Sequence, residues 1–157
     1  MNRRLQLLAL LQVAVLLGCA TIKQYRTIGQ PVGSDLQTYV GGTILKIDLA
    51  ERLPNAFGRA DVYGGRRPTG SIELKYLGLA SNSGALKLRV LSTDVRTTED
   101  WRRRLGNKGT VTSSSDAVDF EQRPDEPFEI EGLTVHFLKA ESASLNYRLT
   151  GQLQSTR

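Results

Sequence analysis

The 157 residues carry 21 Lys and Arg against 16 Asp and Glu, a formal net charge of +5, with 24% charged and 39% hydrophobic residues. That balance is ordinary for a folded chain and supplies one modest core. A single histidine and a single cysteine give no material for a typical zinc site or an internal disulfide, and no nucleic-acid-binding signature accompanies the surplus of cations.

Arg3 and Arg4 form a cationic head, and Leu5 to Leu17 then runs apolar, interrupted by Gln6 and Gln12. That run is well short of the ~20 residues a helix needs to span hydrocarbon. A positive head, a short apolar run and the small residue Gly18 follow the pattern of an export signal. Leu16-Leu17-Gly18-Cys19 resembles the lipobox of bacterial lipoproteins, in which signal peptidase II cuts before the cysteine. The resemblance covers residues 1–20 and implies a signal peptide over 1–18, a diacylglyceryl thioether on the Cys19 sulfur, and a palmitate-like acyl group on the new N-terminus. Each buried CH₂ contributes ~0.8 kcal/mol, so two or three chains make an anchor that needs no spanning helix. Lipidation also consumes the lone thiol. Within that class, Asp after the cysteine favours the inner membrane; Ala20 stands here. The resemblance therefore implies the outer membrane, facing the periplasm, or the outer face of the cytoplasmic membrane in a host with one membrane. The competing reading is a free thiol in an N-terminal membrane helix.

Removing residues 1–18 takes away Arg3 and Arg4 and lowers the formal charge from +5 to +3. The remainder is split: Arg52 to Lys108 holds 12 cations and 5 acids, net +7, and Asp116 to Glu131 holds 7 acids and Arg123, net −6. Two solvated faces account for such a split, and so does a docking surface for a partner or anionic headgroups.

Residues 19–36 read as the lipidated cysteine and a flexible tether, since they lack periodicity and contain Gly29, Pro31 and Gly33. The folded domain is then expected over 37–157. Thr43 to Leu49 alternates Leu45, Ile47 and Leu49 with Lys46 and Asp48, which predicts a strand. Ser71 to Leu79 and Ala85 to Asp94 alternate likewise around Ser81-Asn82-Ser83-Gly84, a turn sequence, and predict a hairpin. Residues 107–115 are polar and read as loose. Val118 to Phe120 and Phe128 to Ile130 suggest short edge strands about a turn at Arg123-Pro124-Asp125. Leu133-Val135-Phe137 and Leu145-Tyr147-Leu149 give two further strands joined by 139–144. The class expected is all-β, a small antiparallel sandwich or partly open barrel.

Two stretches are candidate interaction surfaces. Leu53 to Gly70 is a long Gly- and Pro-containing segment that lacks the lysine of a phosphate-binding loop. Its Phe57, Arg59, Tyr63, Arg66 and Arg67 supply a recognition surface, or else the arginines are solvated or paired with Asp61. Ala60 and Val62 hint at a short strand within it. In Thr97 to Gly106, Trp101 with Arg102, Arg103 and Arg104 suits a lipid headgroup layer or a partner. The alternative is a short solvated helix with Trp101 against the core.

For catalysis the sequence offers little. His136 is expected on the solvent side of its strand, the G-x-S-x-G elbow is missing, and Asp125, Glu126, Glu129 and Glu131 lack the calcium-loop pattern. Paired carboxylates brought together by folding are invisible at this level. The expectation is a lipid-anchored envelope module for interaction or assembly, without cofactor, metal or nucleic acid, and with an envelope protein or polymer as partner. The alternatives are a small carboxylate-dependent envelope hydrolase and an anionic-lipid or polyanion binder.

Overall fold

The computed structural model describes residues 24–52, 66–97 and 111–153. Among these the chain forms β1 (Gln24–Ile28), β2 (Asp35–Tyr39), β3 (Thr43–Arg52), β4 (Arg66–Leu79), β5 (Leu86–Thr97), β6 (Val111–Gln122), β7 (Phe128–Ile130), β8 (Leu133–Ala140) and β9 (Ser144–Gly151), and no helix. They make a five-stranded sheet in the order β1-β3-β4-β5-β6 and a four-stranded sheet in the order β2-β9-β8-β7. Every neighbouring pair is antiparallel, and the sheets do not close into a barrel. Of the two expected architectures, the small β-sandwich is the one found.

Alternation decides which side chains face inward. Leu45 and Ile47 of β3 are buried between exposed Lys46 and Asp48. A register break between Thr43 and Leu45 lets Ile44 turn inward beside Leu45, so two consecutive residues are buried. Leu74, Tyr76, Leu86 and Leu88 continue the inner face of the first sheet. Leu133, Val135, Leu145, Tyr147 and Leu149 oppose them from the second, forming one core. The Tyr76 hydroxyl donates to the Glu141 carbonyl at 2.9 Å, so this fully buried phenol keeps a partner. Gly70 of β4 is a close approach: a Cβ there would run into the Thr93 carbonyl of β5.

Two expectations are corrected. Residues 24–28, and 35 and 36, fall in the stretch read as tether, yet they belong to β1 (Gln24–Ile28) on β3 and to the start of β2 (Asp35–Tyr39) on β9. Strand structure is therefore present from Gln24 onward among the described residues, ahead of position 37. Both are five-residue edge strands, half exposed along their length, so they carry no apolar stripe to read. Of the loose stretch 107–115, residues 111–115 belong to β6, and Val118 to Phe120 continue that same 12-residue strand. Its first nine positions are exposed, so both of its faces are free to be polar.

β4, β5 and β6 run 14, 12 and 12 residues against eight for β8 and β9. The five-stranded sheet therefore projects beyond its partner. The projecting end is where β1, β4 and β6 begin and β3 and β5 finish, as the pairs Gln24↔Glu51, Arg52↔Arg66 and Thr97↔Val111 show.

One turn departs from usual chemistry. β7 and β8 are joined by Glu131 and Gly132, with φ of 53° and 83°. Two successive positive φ values belong to the type I′ hairpin, which favours Asn-Gly, and a Glu there is strained. Its carboxylate pairs with Arg26 of β1, linking the two sheets, while the buried Arg26 Nε finds no acceptor among the described residues. Glu131→Asn is therefore expected to lower stability by about 1–2 kcal/mol, because it strands a largely buried guanidinium. In an Arg26→Met background the same substitution should instead stabilise by about 1 kcal/mol, through relief of the turn. Urea unfolding of the four proteins checks the change of sign.

Candidate functional site

The projecting end gathers the roots of both candidate stretches. Residues 53–65 leave from Arg52 and return at Arg66, and residues 98–110 leave from Thr97 and return at Val111, all at one end of one sheet. β1 starts there too, so the segment from Cys19 joins the same end. Cys19, Phe57, Arg59, Tyr63, Trp101, Arg102, Arg103 and Arg104 lie outside the described residues, as do Asp61, the Ala60–Val62 hint and the expected helical turn after Thr97.

Arg66 and Arg67 are described, and they are the first residues of a strand rather than part of a loop. The Arg66 guanidinium lies 4.4 Å from the centroid of the Tyr25 ring, in cation–π geometry. Arg67 pairs with Glu51. The two arginines therefore sit on partners supplied by β1 and β3.

The charge split of the sequence is folded away only in part. Arg89 of the basic segment holds Asp119 of the acidic one through a two-pronged contact, Nε–Oδ1 2.6 Å and Nη2–Oδ2 2.8 Å, and Lys87 stands opposite Glu121. Arg123 reaches Glu126 at 3.4 Å, and Glu131 is taken by Arg26. Asp116, Glu121, Asp125 and Glu129 have no ion-pair partner among the described residues, so a remnant of the acidic segment survives along β6 and β7.

Open recesses lie on the surface formed by the described residues, and two of them bear on the site. One of about 280 Å³ is lined by Asp35, Leu36, Gln37, Leu138, Lys139 and Asn146. The other, about 260 Å³, is lined by Leu77, Lys87, Leu88, Asp119, Phe120 and Glu121, and so brings two carboxylates to one face of β6. A glycosidase acid needs a raised pKa. The hydrogen bond and charge of Arg89 hold Asp119 below the usual carboxylate range instead, which is the setting of a fixed anion. His136 is exposed, its Nε2 2.9 Å from the Thr150 hydroxyl. Among the described residues no three His, Cys, Asp or Glu side chains group to hold a metal.

The chain matches no protein-family model, no curated protein and no solved structure. Its site must be read from its own residues.

Those residues also set a pH window. Burial pushes the phenols of Tyr76 and Tyr147 above their ordinary 10.0, so the folded state resists an ionisation that the unfolded chain accepts. Their contribution to stability is whole below pH 10.0 and is lost as pH rises through the folded values. At the acid limit, hydrogen bonds from Arg148, Arg89 and Lys139 lower Asp35, Asp119 and Glu141 from 3.8, 3.8 and 4.5. Their support is present above those ordinary values and disappears as pH falls through the lowered ones. Thermal melts across pH, read beside phenolate absorbance, should show a plateau falling away on both sides, with the alkaline fall steeper in wild type than in Tyr147→Phe.

Proposed function

We propose that the chain is a lipid-anchored, periplasm-facing envelope lipoprotein whose β-sandwich serves as an interaction or assembly module. The anchor rests on the charged head, short apolar run, Gly18 and Cys19 of the first 19 residues. The observation that carries the reading further is the start of β1 at Gln24. Between Cys19 and Gln24 an extended chain spans roughly 17 Å at most. Acyl chains on Cys19 then hold the projecting end of the five-stranded sheet at the headgroup layer, with Arg66, Arg67 and Arg96 on that side. The turns at 40–42 and 80–85 then lie at the opposite end of the sheet, away from the bilayer. The ordered contacts of the arginines with Tyr25, Glu51 and Asp94 suit a shaped surface more than a diffuse cationic brush.

Chemical cross-linking in intact cells, followed by mass spectrometry, tests the module. The expected result is one reproducible envelope protein or polymer in repeated preparations. Recovery of an abundance-weighted sample of neighbours overturns it.

A further inference from the structure

The four sheet edges are unequal. β1 and β2 are five residues long and β7 is three, whereas β6 runs for 12. β6 pairs with β5 from Leu86↔Gln122 to Thr97↔Val111 without a register break, and no described strand pairs with its other side. Such an edge offers a row of backbone donors and acceptors, and proteins normally blunt a long one with lysine, proline or a bulge. Val111–Gln122 has none of the three; its protection is the carboxylates Asp116, Asp119 and Glu121, which repel an acidic strand and leave the edge open to a basic one.

Side chains along β6 say what would fit beside it. One row across the sheet runs Leu45, Leu74, Val90, Val118. Leu45 and Leu74 are 1% and 0% exposed, Val90 is half-buried, and Val118 is 63% exposed. The apolar row thus stops at the edge with its last member uncovered. On either side of it, Asp116 and Glu121 are without an ion pair among the described residues, and β6 contains no cation. A second β6 is the wrong neighbour, since a paired ribbon of two copies would bring six carboxylates and no cation of its own.

We infer that the outer edge of β6 takes up an extended segment of a partner protein as a sixth, antiparallel strand. That segment places an apolar side chain against Val118 and Lys or Arg against Asp116 and Glu121. Read along the partner, the register is basic-x-x-apolar-x-basic. Backbone hydrogen bonds supply the affinity and the three side chains the choice of segment. The inference rests on the interaction-module reading and names its surface.

The test titrates the full chain with the labelled peptide TKTTVTKT and with its counterpart TETTVTET, and follows amide hydrogen exchange. Expected are saturable binding of the lysine peptide, new protection confined to β6, and about tenfold weaker binding both for the glutamate peptide and for the Asp116→Lys/Glu121→Lys variant. Equal affinity for the two peptides, protection centred elsewhere, or no saturable binding overturns the inference. A photo-cross-linking residue in place of Val118, compared in cells with one in place of Leu138, separates the two levels. Partners caught at 138 but not at 118 leave the module standing and remove β6 as its surface. A second copy of this chain caught at 118 also refutes the inference, and silence at both positions removes module and surface together.

Discussion

Cys19→Ser should abolish the lipid mass increment of the protein and change how it fractionates with the membrane. The expectation follows from the chemistry of one atom. A thioether to diacylglycerol needs sulfur, which a serine side chain does not supply. Each acyl CH₂ removed from water contributes ~0.8 kcal/mol, so losing two or three chains eliminates far more affinity than scattered surface cations restore. Fractionation with carbonate washing, together with intact mass of the mature protein, reads the result. A serine variant that fractionates as wild type does, beside a native protein of unmodified mass, would end the anchored reading. Equal thermal melts of the two proteins check that the effect is one of attachment and not of folding.

Leu74→Ala should be among the most destabilising single truncations, lowering stability by about 2–5 kcal/mol. Leu74 is fully buried and sits mid-sheet, paired with Leu45 on one side and Val90 on the other. Antiparallel neighbours on both flanks keep the backbone from collapsing into the space left behind, so the loss includes the cavity as well as the transfer of the side chain. A domain of this size has a total stability on the order of 5–15 kcal/mol, so the fraction lost is large. The same truncation at exposed Leu138 should stay within about 0.5 kcal/mol. Urea midpoints with an unchanged slope verify both, and a mild Leu74→Ala would mean that the two sheets do not share the core described.

The strands that the sequence discloses are those with one wet and one dry face. Leu45, Ile47, Leu74, Tyr76, Leu86, Leu88, Leu133, Val135, Leu145, Tyr147 and Leu149 were all marked by alternation, and each is buried. β1, β2 and most of β6 escape the same test for a physical reason. An edge strand, or one that extends past its covering sheet, has no dry face to write into its residues. QYRTI and VTSSSDAVD are strands because β3 and β5 offer them backbone partners, and pattern reading along one chain has no access to that offer. The same gap hides Glu51 as the partner of Arg67 and Arg26 as the partner of Glu131, residues far apart in sequence. Charge counting suffered most. A net +7 followed by a net −6 along the chain suggests two poles, yet β5 and β6 lie side by side and Arg89 takes up Asp119 across that ladder.

The pairing of β2 with β9 has a consequence for how the molecule is made. Asp35 meets Arg148 across 113 positions, so the smaller sheet has one founding strand near the start of the chain and another near its close. β8 and β2 both depend on residues 144–151, and until those have emerged neither has a neighbour on that side. Long-range closure of this kind is slow. A polypeptide threaded lengthwise through a narrow channel keeps its early segments uncommitted until the final ones arrive, and a product cut short before residue 144 forfeits half the sandwich rather than one strand.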